Sequence, residues 1–278
     1  MLTFKCNRGG EDFKSILREN GFKEAENNEP IDFSFWDTYS SEKVASKIML
    51  NNLNLLKNID NKQSLYEFIE KLKLTHHVPK TFINISNLTN DDLNNNKLYF
   101  LKLTYGSGGK DVHPIKSIKD IDNILKEKYD KDKKNINFYL IQEEVPNMYL
   151  HQGKYKTSMR NYVIACDEGL YFYKDGYIRI YNKEYDKNNL DNRIHNDMLN
   201  PKYEKLSDQH FYDKILPQLI NICSELLIPY FKDISFNNQY YILGLDFIID
   251  EDYKPYLIEI NQMPSLGTDG ESETKKIC

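Results

Sequence analysis

Two apolar segments near the end of the sequence each contain one carboxylate, and this pairing constrains the chain more than any other feature. Asp246 lies within YYILGLDFIID and Glu259 within YKPYLIEINQMPSLG. The short polar stretch DEDYK between them predicts an antiparallel hairpin, with strands at 240–249 and 255–260. If residues 250 and 255 close the loop, counting back along both strands places Asp246 opposite Glu259.

Buried carboxylates are costly unless they are paired or bind a metal ion. Asn261 lies two residues beyond Glu259, so its side chain shares the same face of the strand. Three oxygen donors on one face suit Mg²⁺ or Mn²⁺. The alternative is a hydrogen-bonded cluster or a salt bridge to Lys or Arg. A register shift of one residue would remove the convergence.

A second candidate site lies near the middle of the sequence. Lys102 occupies the apolar segment YFLKL, which is followed by a glycine-rich stretch at 106–109. Backbone N–H groups of a glycine-rich hairpin tip can approach phosphate oxygens closely, and a neighbouring lysine can neutralise them. The stretch GSGG is also typical of a flexible turn, and it matches neither the P-loop nor the Rossmann pattern.

Other polar residues follow or interrupt the predicted strands. Gln142 and Glu143 end the apolar segment YLIQEEV, where they can hydrogen-bond an adenine edge or simply form an exposed strand end. Lys156 and Arg160 are four residues apart, and Arg179 lies in the next predicted strand. These cations can hold a γ-phosphate or an acyl phosphate, although each alone also fits a solvated surface position.

The remaining pattern predicts a mixed fold. Residues 2–6 and 31–36 are predicted strands flanking a helix, Ser64 and Glu67 form a candidate capping box for a helix at 64–73, and strands dominate from Leu98 onward. A polar stretch at 182–209 is predicted to be a long loop, and an apolar stripe predicts a helix at 210–228.

Charge and cysteine content exclude several classes of protein. The net charge is −5, from 37 basic and 42 acidic residues that are interspersed, so nucleic acid is disfavoured as a partner. The four cysteines lack metal-site spacing. The sequence contains neither a signal peptide nor an apolar run long enough to cross a bilayer. We therefore expect a cytoplasmic protein that does not bind membranes.

In chain order, these segments resemble the tubulin tyrosine ligase-like family of ATP-grasp ligases, from about Asn52 to Leu266. The most specific match is GLDFIID with LIEINQMPSL, which is similar to the paired metal-binding strands of that family. NIDNKQSLYEFI, HVPKTF, FLKL with GSGGKDV, IQEEV and KYKTSMRNYV resemble further family segments. The resemblance implies an α+β, ATP-grasp fold with two lobes that clasp ATP, preceded by a small α/β lobe. The corresponding domains are 1–75, 76–165 and 166–278.

The resemblance also implies roles for individual residues. Arg160 and Arg179 would face the reacting groups. Asp246, Glu259 and Asn261 would bind two Mg²⁺ ions, with Mn²⁺ as the alternative metal. The implied ATP-binding residues are Lys62, Lys102, Gly106, Ser107, Gly108, Gly109, Gln142, Glu143, Val145, Lys156, Ser158, Asn192 and Ile258.

The family resemblance implies an ATP-dependent ligase that forms an acyl phosphate and then an amide. It would add an amino acid to a protein or peptide acceptor, with tubulin among the candidates. Ser158 replaces the aspartate of the family motif, which removes a charged contact. Because the stretch between the metal motif and Cys278 is short, we do not expect the extra tubulin-recognition regions of longer relatives, and a ligase for a small molecule or a non-tubulin peptide is one alternative. Ser158 and the weak match at Asn192 favour the other alternative, an inactive nucleotide-binding module.

Overall fold

The computed structural model describes most of the chain, and the descriptions below refer to this part. The described residues are 1–6, 10–26, 29–35, 53–93, 97–106, 111–129, 135–186, 202–205, 209–237, 239–262 and 264. Helices and three β-sheets are mixed along the sequence, in agreement with the predicted α+β class. Within this part of the chain, no helix is long and apolar enough to span a membrane.

The N-terminal sheet has three parallel strands in the order β2-β1-β3. Its elements are β1 (Thr3–Cys6), α1 (Gly10–Glu19), β2 (Lys23–Glu24) and β3 (Phe33–Phe35). This arrangement confirms the predicted strand–helix–strand opening. Phe4 and Cys6 pack with Cys166 and Tyr240, and the Tyr240 hydroxyl donates to the carbonyl of Ser34 at 3.0 Å.

Two helices, α2 (Leu53–Asp60) and α3 (Lys62–Lys71), follow the N-terminal sheet. The predicted capping box at Ser64 is wrong, because α3 begins two residues earlier. Its N-cap is Asn61, whose side-chain oxygen accepts from the backbone N–H groups of Gln63 and Ser64 at 3.0 and 3.1 Å. Ser64 therefore lies inside the first turn, where its own N–H group is already capped.

A second sheet is antiparallel, with the order β4-β7-β5-β6. Its strands are β4 (Thr81–Phe82), β5 (Tyr99–Leu103), β6 (Val112–Ile115) and β7 (Tyr139–Glu143), and α4 (Ile118–Lys128) packs against it. Every residue of β5 is buried, which explains its continuous run of apolar letters around Lys102. Strands β5 and β6 are antiparallel neighbours, and most of the glycine-rich stretch between them lies outside the described residues.

The third sheet is the largest, with the order β11-β10-β9-β12-β13 and β8 paired to β9. Its strands are β8 (Leu150–His151), β9 (Tyr155–Cys166), β10 (Gly169–Glu184), β11 (Lys202–Lys205), β12 (Tyr241–Ile249) and β13 (Pro255–Asn261). Helices α2, α3 and α5 (Gln209–Phe231) cover its apolar face with a shared core. The predicted helix at 210–228 is confirmed.

The loop predicted at 182–209 is partly wrong. Strand β10 continues to Glu184, and β11 pairs with it through Tyr177–Ile180. A short, polar strand at the edge of a sheet lacks the apolar alternation from which strands are predicted. The domain boundaries at 75 and 165 stay predictions. The second of them falls within β9, whose partners on both sides belong to the same sheet.

Candidate functional site

Arg160, Asp246 and Glu259 lie at matching positions of three adjacent strands. The two carboxylates of this row, with Asn261 beside them, are called the acidic row. Asp246 on β12 is directly opposite Arg160 on β9 and directly opposite Glu259 on β13. Side chains at matching positions of neighbouring strands share one face of the sheet. The predicted pairing of Asp246 with Glu259 is confirmed.

A β-bulge at Ile258 makes this pairing possible. The hairpin begins with Ile249 opposite Pro255, one residue away from the predicted closure, and this register would place Asp246 opposite Ile258. The register shifts by one residue between Phe247 and Asp246, so Ile258 is the extra residue of β13. The bulge therefore sets both carboxylates on the same face.

Each carboxylate of the row contacts a cation. Arg160 forms a two-pronged ion pair with Asp246, through Nε to Oδ1 and through Nη2 to Oδ2, the second at 2.6 Å. Lys62 Nζ lies 3.1 Å from Glu259 Oε2. Asn261 lies between the acids, and its Nδ2 donates to Asp246 Oδ2 at 3.2 Å and to Glu259 Oε1 at 3.4 Å.

The two acids have opposite pKa shifts. Burial, together with the charge of Glu259, raises the pKa of Asp246 despite the opposing effect of Arg160. Burial alone would also raise the pKa of Glu259, but the charge of Lys62 and the hydrogen bond to Asp246 lower it to about 2.

The donor set fits a hard divalent cation. Two carboxylates and one carboxamide, linked by hydrogen bonds through Asn261, offer oxygen ligands without sulfur or imidazole nitrogen. The alternative expectation of salt bridges to Lys and Arg is also borne out, by Lys62 and Arg160. Lys62 and Arg160 therefore neutralise the two acids, whose oxygen atoms are of the type that Mg²⁺ prefers as ligands.

Lys102 is almost completely buried, with 9% of its surface exposed. Its Nζ donates to Gln142 Oε1 at 2.6 Å, and Gln142 Nε2 donates in turn to the hydroxyl of Thr81 at 3.1 Å. Burial lowers the pKa of Lys102 to about 7, with the charges of Lys62 and Lys156 acting in the same direction and that of Glu259 opposing them. Such a perturbed lysine beside a cleft is a candidate functional group.

A small cleft, partly open to solvent, lies beside Lys102, and Lys62, which pairs with Glu259, also lines it. Its polar lining includes Lys62, Lys102, Thr81 and Gln142. Its apolar lining comprises Leu65, Tyr66, Ile69, Val78, Leu140, Leu257 and Ile258. An apolar pocket with a few convergent polar groups is typical of a small-molecule site.

Lys62 connects three parts of the structure at the first turn of α3. Its Nζ donates to the carbonyl of Gly106 at 2.7 Å in addition to contacting Glu259, and its backbone N–H donates to the carbonyl of Thr104 at 3.0 Å. The beginning of the glycine-rich stretch is thereby held beside the cleft.

The cations of β9 and β10 lie on the same face as the acidic row. Lys156, Ser158 and Arg160 alternate along β9, and Arg179 is directly opposite Ser158. Lys156 Nζ lies 5.5 Å from the centre of the Phe100 ring. The charge of Arg179 lowers the pKa of Asp246, which opposes the effect of burial.

Comparison with known proteins shows that part of the sequence is similar to one family. The sequence model described as the tubulin-tyrosine ligase family matches residues 209–278, which include the acidic hairpin. A tubulin glycylase 3B of Tetrahymena thermophila is 27% identical, covering 46% of this chain and 13% of the relative. The human probable tubulin polyglutamylase TTLL2 is 27% identical, covering 48% of this chain and 27% of the relative. Over these residues the chain is similar to the tubulin tyrosine ligase-like family.

The match extends over only part of each protein. Tubulin monoglycylase TTLL3 of human is 24% identical, with 50% of this chain and 22% of the relative covered. The chain therefore spans well under two thirds of the length of the curated relatives that it matches.

Residues expected around adenine are only partly assembled at the cleft. Gln142 is buried and lines the cleft, so it is not an exposed strand end. Glu143 pairs with Lys97 at 2.6 Å, and its backbone N–H donates to the carbonyl of Lys80. Val145 is buried, and neither Val145 nor Glu143 lines the cleft.

Some predicted residues lie outside the described part of the chain. They are Ser107, Gly108, Gly109 and Asn192. Ser158, which replaces the family aspartate, is described, and its hydroxyl lies 3.2 Å from that of Tyr181.

Sequence reasoning missed two residues that position the site. Asp60, the last residue of α2, accepts from the backbone N–H of Gln262 at 3.0 Å and from its side chain at 3.1 Å. These bonds fix the segment that follows Asn261. Gly244, on β12, lies beside the Arg160 side chain. A glycine inside an apolar strand indicates that another group approaches the backbone closely, and this signal could have identified it.

Proposed function

We propose that this chain is an ATP-dependent carboxylate–amine ligase that adds an amino acid to a protein acceptor. The observation that supports it best is that Lys62, which lines the cleft together with Lys102, also pairs with Glu259, in the same row of the sheet as Asp246 and Arg160. Lysines on one side and carboxylates on the other match the needs of a nucleotide triphosphate with divalent metal ions.

In the proposed complex, ATP binds beside the cleft, with Gln142 near the adenine. Lys62 and Lys102 neutralise the phosphates. Asp246, Glu259 and Asn261 would hold Mg²⁺ or Mn²⁺, which would supply positive charge for the phosphates.

The proposed reaction has two steps. A carboxylate oxygen of the acceptor attacks the γ-phosphorus, the bond to the β,γ-bridging oxygen breaks, and ADP leaves. The donor amine then attacks the acyl carbon, phosphate leaves with the electrons of the C–O bond, and the amine loses a proton. Arg160 and Arg179 stabilise the negative charge that develops on the transferred phosphoryl group.

The test is intact-mass analysis of tubulin and of a mixed peptide pool, incubated with the protein, Mg-ATP and isotope-labelled amino acids. The relatives are a tubulin glycylase and a probable tubulin polyglutamylase, so glycine and glutamate are the first donors to examine. We expect a defined added mass that matches the labelled donor, with one ADP released per addition.

The matched variants lie on one hairpin. Glu259→Gln should abolish ligation, because it removes a charge from the acidic row. Glu251→Gln changes an exposed residue of the turn and should leave ligation unchanged. Ligation that persists in Glu259→Gln would refute the assigned role of the acidic row.

One observation favours a second candidate, a nucleotide-binding module without turnover. Ser158 stands where the family motif has an aspartate, and its hydroxyl lies beside that of Tyr181. This candidate predicts ATP affinity without ADP release for any acceptor. Under it, Ser158→Asp would be the first substitution to test for restored turnover.

A further inference from the structure

A cluster of two histidines and one glutamate lies outside the candidate ATP cleft. His76 and His77 belong to the 3-10 turn Thr75–His77 between α3 and β4, and Glu225 lies on α5. One ligand atom from each side chain falls within 4.8 Å of the others. His77 Nε2 is 2.8 Å from Glu225 Oε2, and the two imidazole ring centres are 3.9 Å apart.

An ordinary hydrogen bond between His77 and Glu225 explains only part of this geometry. It does not account for His76, whose exposed ring tilts by 44° against that of its neighbour. Two protonated imidazoles at this separation would repel each other. A shared cation bound by neutral rings would instead favour the observed proximity.

The other groups that act on His77 are consistent with a neutral ring. Burial lowers the pKa of His77, and the charges of His76 and Lys254 lower it further, while Glu225 opposes them. The hydrogen bond from His77 also lowers the pKa of the Glu225 carboxyl. Neutral imidazole and ionised carboxylate are the forms that coordinate metals.

We propose that His76, His77 and Glu225 bind one transition-metal ion of the zinc class. Two imidazole nitrogens and one carboxylate oxygen suit Zn²⁺, Co²⁺ or Ni²⁺, whereas Mg²⁺ prefers oxygen ligands alone. Bonds of about 2.0–2.2 Å in a tetrahedron place ligand atoms about 3.4 Å apart. Rotation of exposed side chains is enough to reach this distance, and water completes the fourth position.

The site would join two segments that are 148 residues apart. The turn leads directly into Val78 and Thr81, which line the cleft, while α5 belongs to the core of the large sheet. A bound ion would therefore link the segment that leads into the cleft lining to α5. Because only the folded chain assembles the three ligands, metal binding should raise the melting temperature.

The experiment uses tag-free full chain, stripped of metal and titrated with Zn²⁺ in excess Mg²⁺, so that the acidic row does not take up the probe ion. Calorimetry should give one ion per chain, and the melting temperature should rise. Co²⁺ should give visible absorption without a thiolate charge-transfer band, since the proposed ligands are nitrogen and oxygen.

Matched variants assign the ion to the cluster. His76→Ala and Glu225→Gln alter exposed side chains, so the fold should persist, and each should weaken Zn²⁺ binding at least about tenfold. His151→Ala and Glu251→Gln change a histidine and a glutamate elsewhere and should leave the affinity unchanged. Failure to bind Zn²⁺, equal binding in all variants, or a thiolate band with Co²⁺ would overturn the proposal. None of these readouts requires ligase activity.

Discussion

Replacement of Gly244 by alanine tests whether a close backbone approach sets the position of Arg160. A methyl group added at Gly244 would lie 2.5 Å from Pro264 Cβ, 3.1 Å from Arg160 Nη1 and 3.2 Å from Arg160 Cδ. Carbon atoms in ordinary contact are about 3.5–4.0 Å apart. The new methyl group therefore requires about 1 Å of movement by Pro264 or by the arginine, because both occupy the space beside β12.

The expected magnitude follows from two opposing terms. Overpacking of this kind costs about 1–3 kcal/mol. Reduced freedom of the unfolded chain returns about 0.4–1 kcal/mol when glycine becomes alanine. We expect a net loss of about 1–2 kcal/mol in the free energy of unfolding. If Arg160 moves by about 1 Å from Asp246, turnover should fall by about 100-fold.

Equilibrium unfolding in urea measures the free energy of unfolding. The rate of ADP release in the presence of an acceptor substrate measures turnover. Gly106→Ala is the matched stability control, since its nearest contacts would be 3.2 and 3.4 Å, and its loss should be smaller. Wild-type stability together with turnover within about twofold of wild type would refute the reasoning. Lower stability with full turnover would mean that Pro264 alone accommodates the methyl group.

Three further predictions concern other contacts of the fold and the site. Asp60→Ala removes both bonds to Gln262, so calorimetry should show weaker Mg-ATP binding and urea unfolding a loss of about 1–3 kcal/mol, with Asp60→Asn intermediate. The pKa of Lys102 is lowered to about 7, so the unfolded chain binds more protons than the folded chain between about pH 7 and its ordinary pKa of 10.5, and this lysine should make stability rise with pH across that window. A bound phosphate would stabilise the charged form of Lys102, so ATP binding at pH 8 should be accompanied by uptake of a proton. Calorimetry should then give a binding heat that depends on the buffer, and Lys102→Met should abolish this dependence. Gly176→Ala would place a methyl group 2.2 Å from Asn161 Nδ2 and should cost about 1–3 kcal/mol, less in an Asn161→Ala background; equal costs in both backgrounds would contradict the assigned clash.

The acidic hairpin was predictable because two ionisable residues interrupt apolar strands. The predicted partners, Asp246 and Glu259, are confirmed, but the reasoning contained a compensating error. The loop closes at Ile249 and Pro255 rather than at residues 250 and 255, and the bulge at Ile258 restores the pairing of Asp246 with Glu259. Nothing in the letters LIEIN marks the bulged residue, because a bulge depends on how the strand fits its neighbours.

The start of α3 was not predictable from local rules alone. Asn61 and Ser64 are both good N-cap residues, and Ser64 with Glu67 satisfies the capping-box pattern. Contacts from distant segments agree with the earlier start, because Lys62 donates to Thr104 and Gly106 and contacts Glu259. Tertiary contacts of this kind outweigh a difference of a few tenths of a kcal/mol between competing caps.

The ion pairs of the site and its proposed metal chemistry depend on the same charges. Buried carboxylates on adjacent strands repel each other, so a chain without bound ligand needs cations nearby. Lys62 and Arg160 meet this need from opposite sides of the acidic row, one from a helix and one from the sheet. A buried ion pair adds little to stability compared with apolar side chains of the same volume, so stability alone does not explain the retention of charge here. Under the proposed function, Lys62 and Arg160 would have two roles, since both neutralise the acids and both would lie near the ATP phosphates if the acids held divalent metal ions.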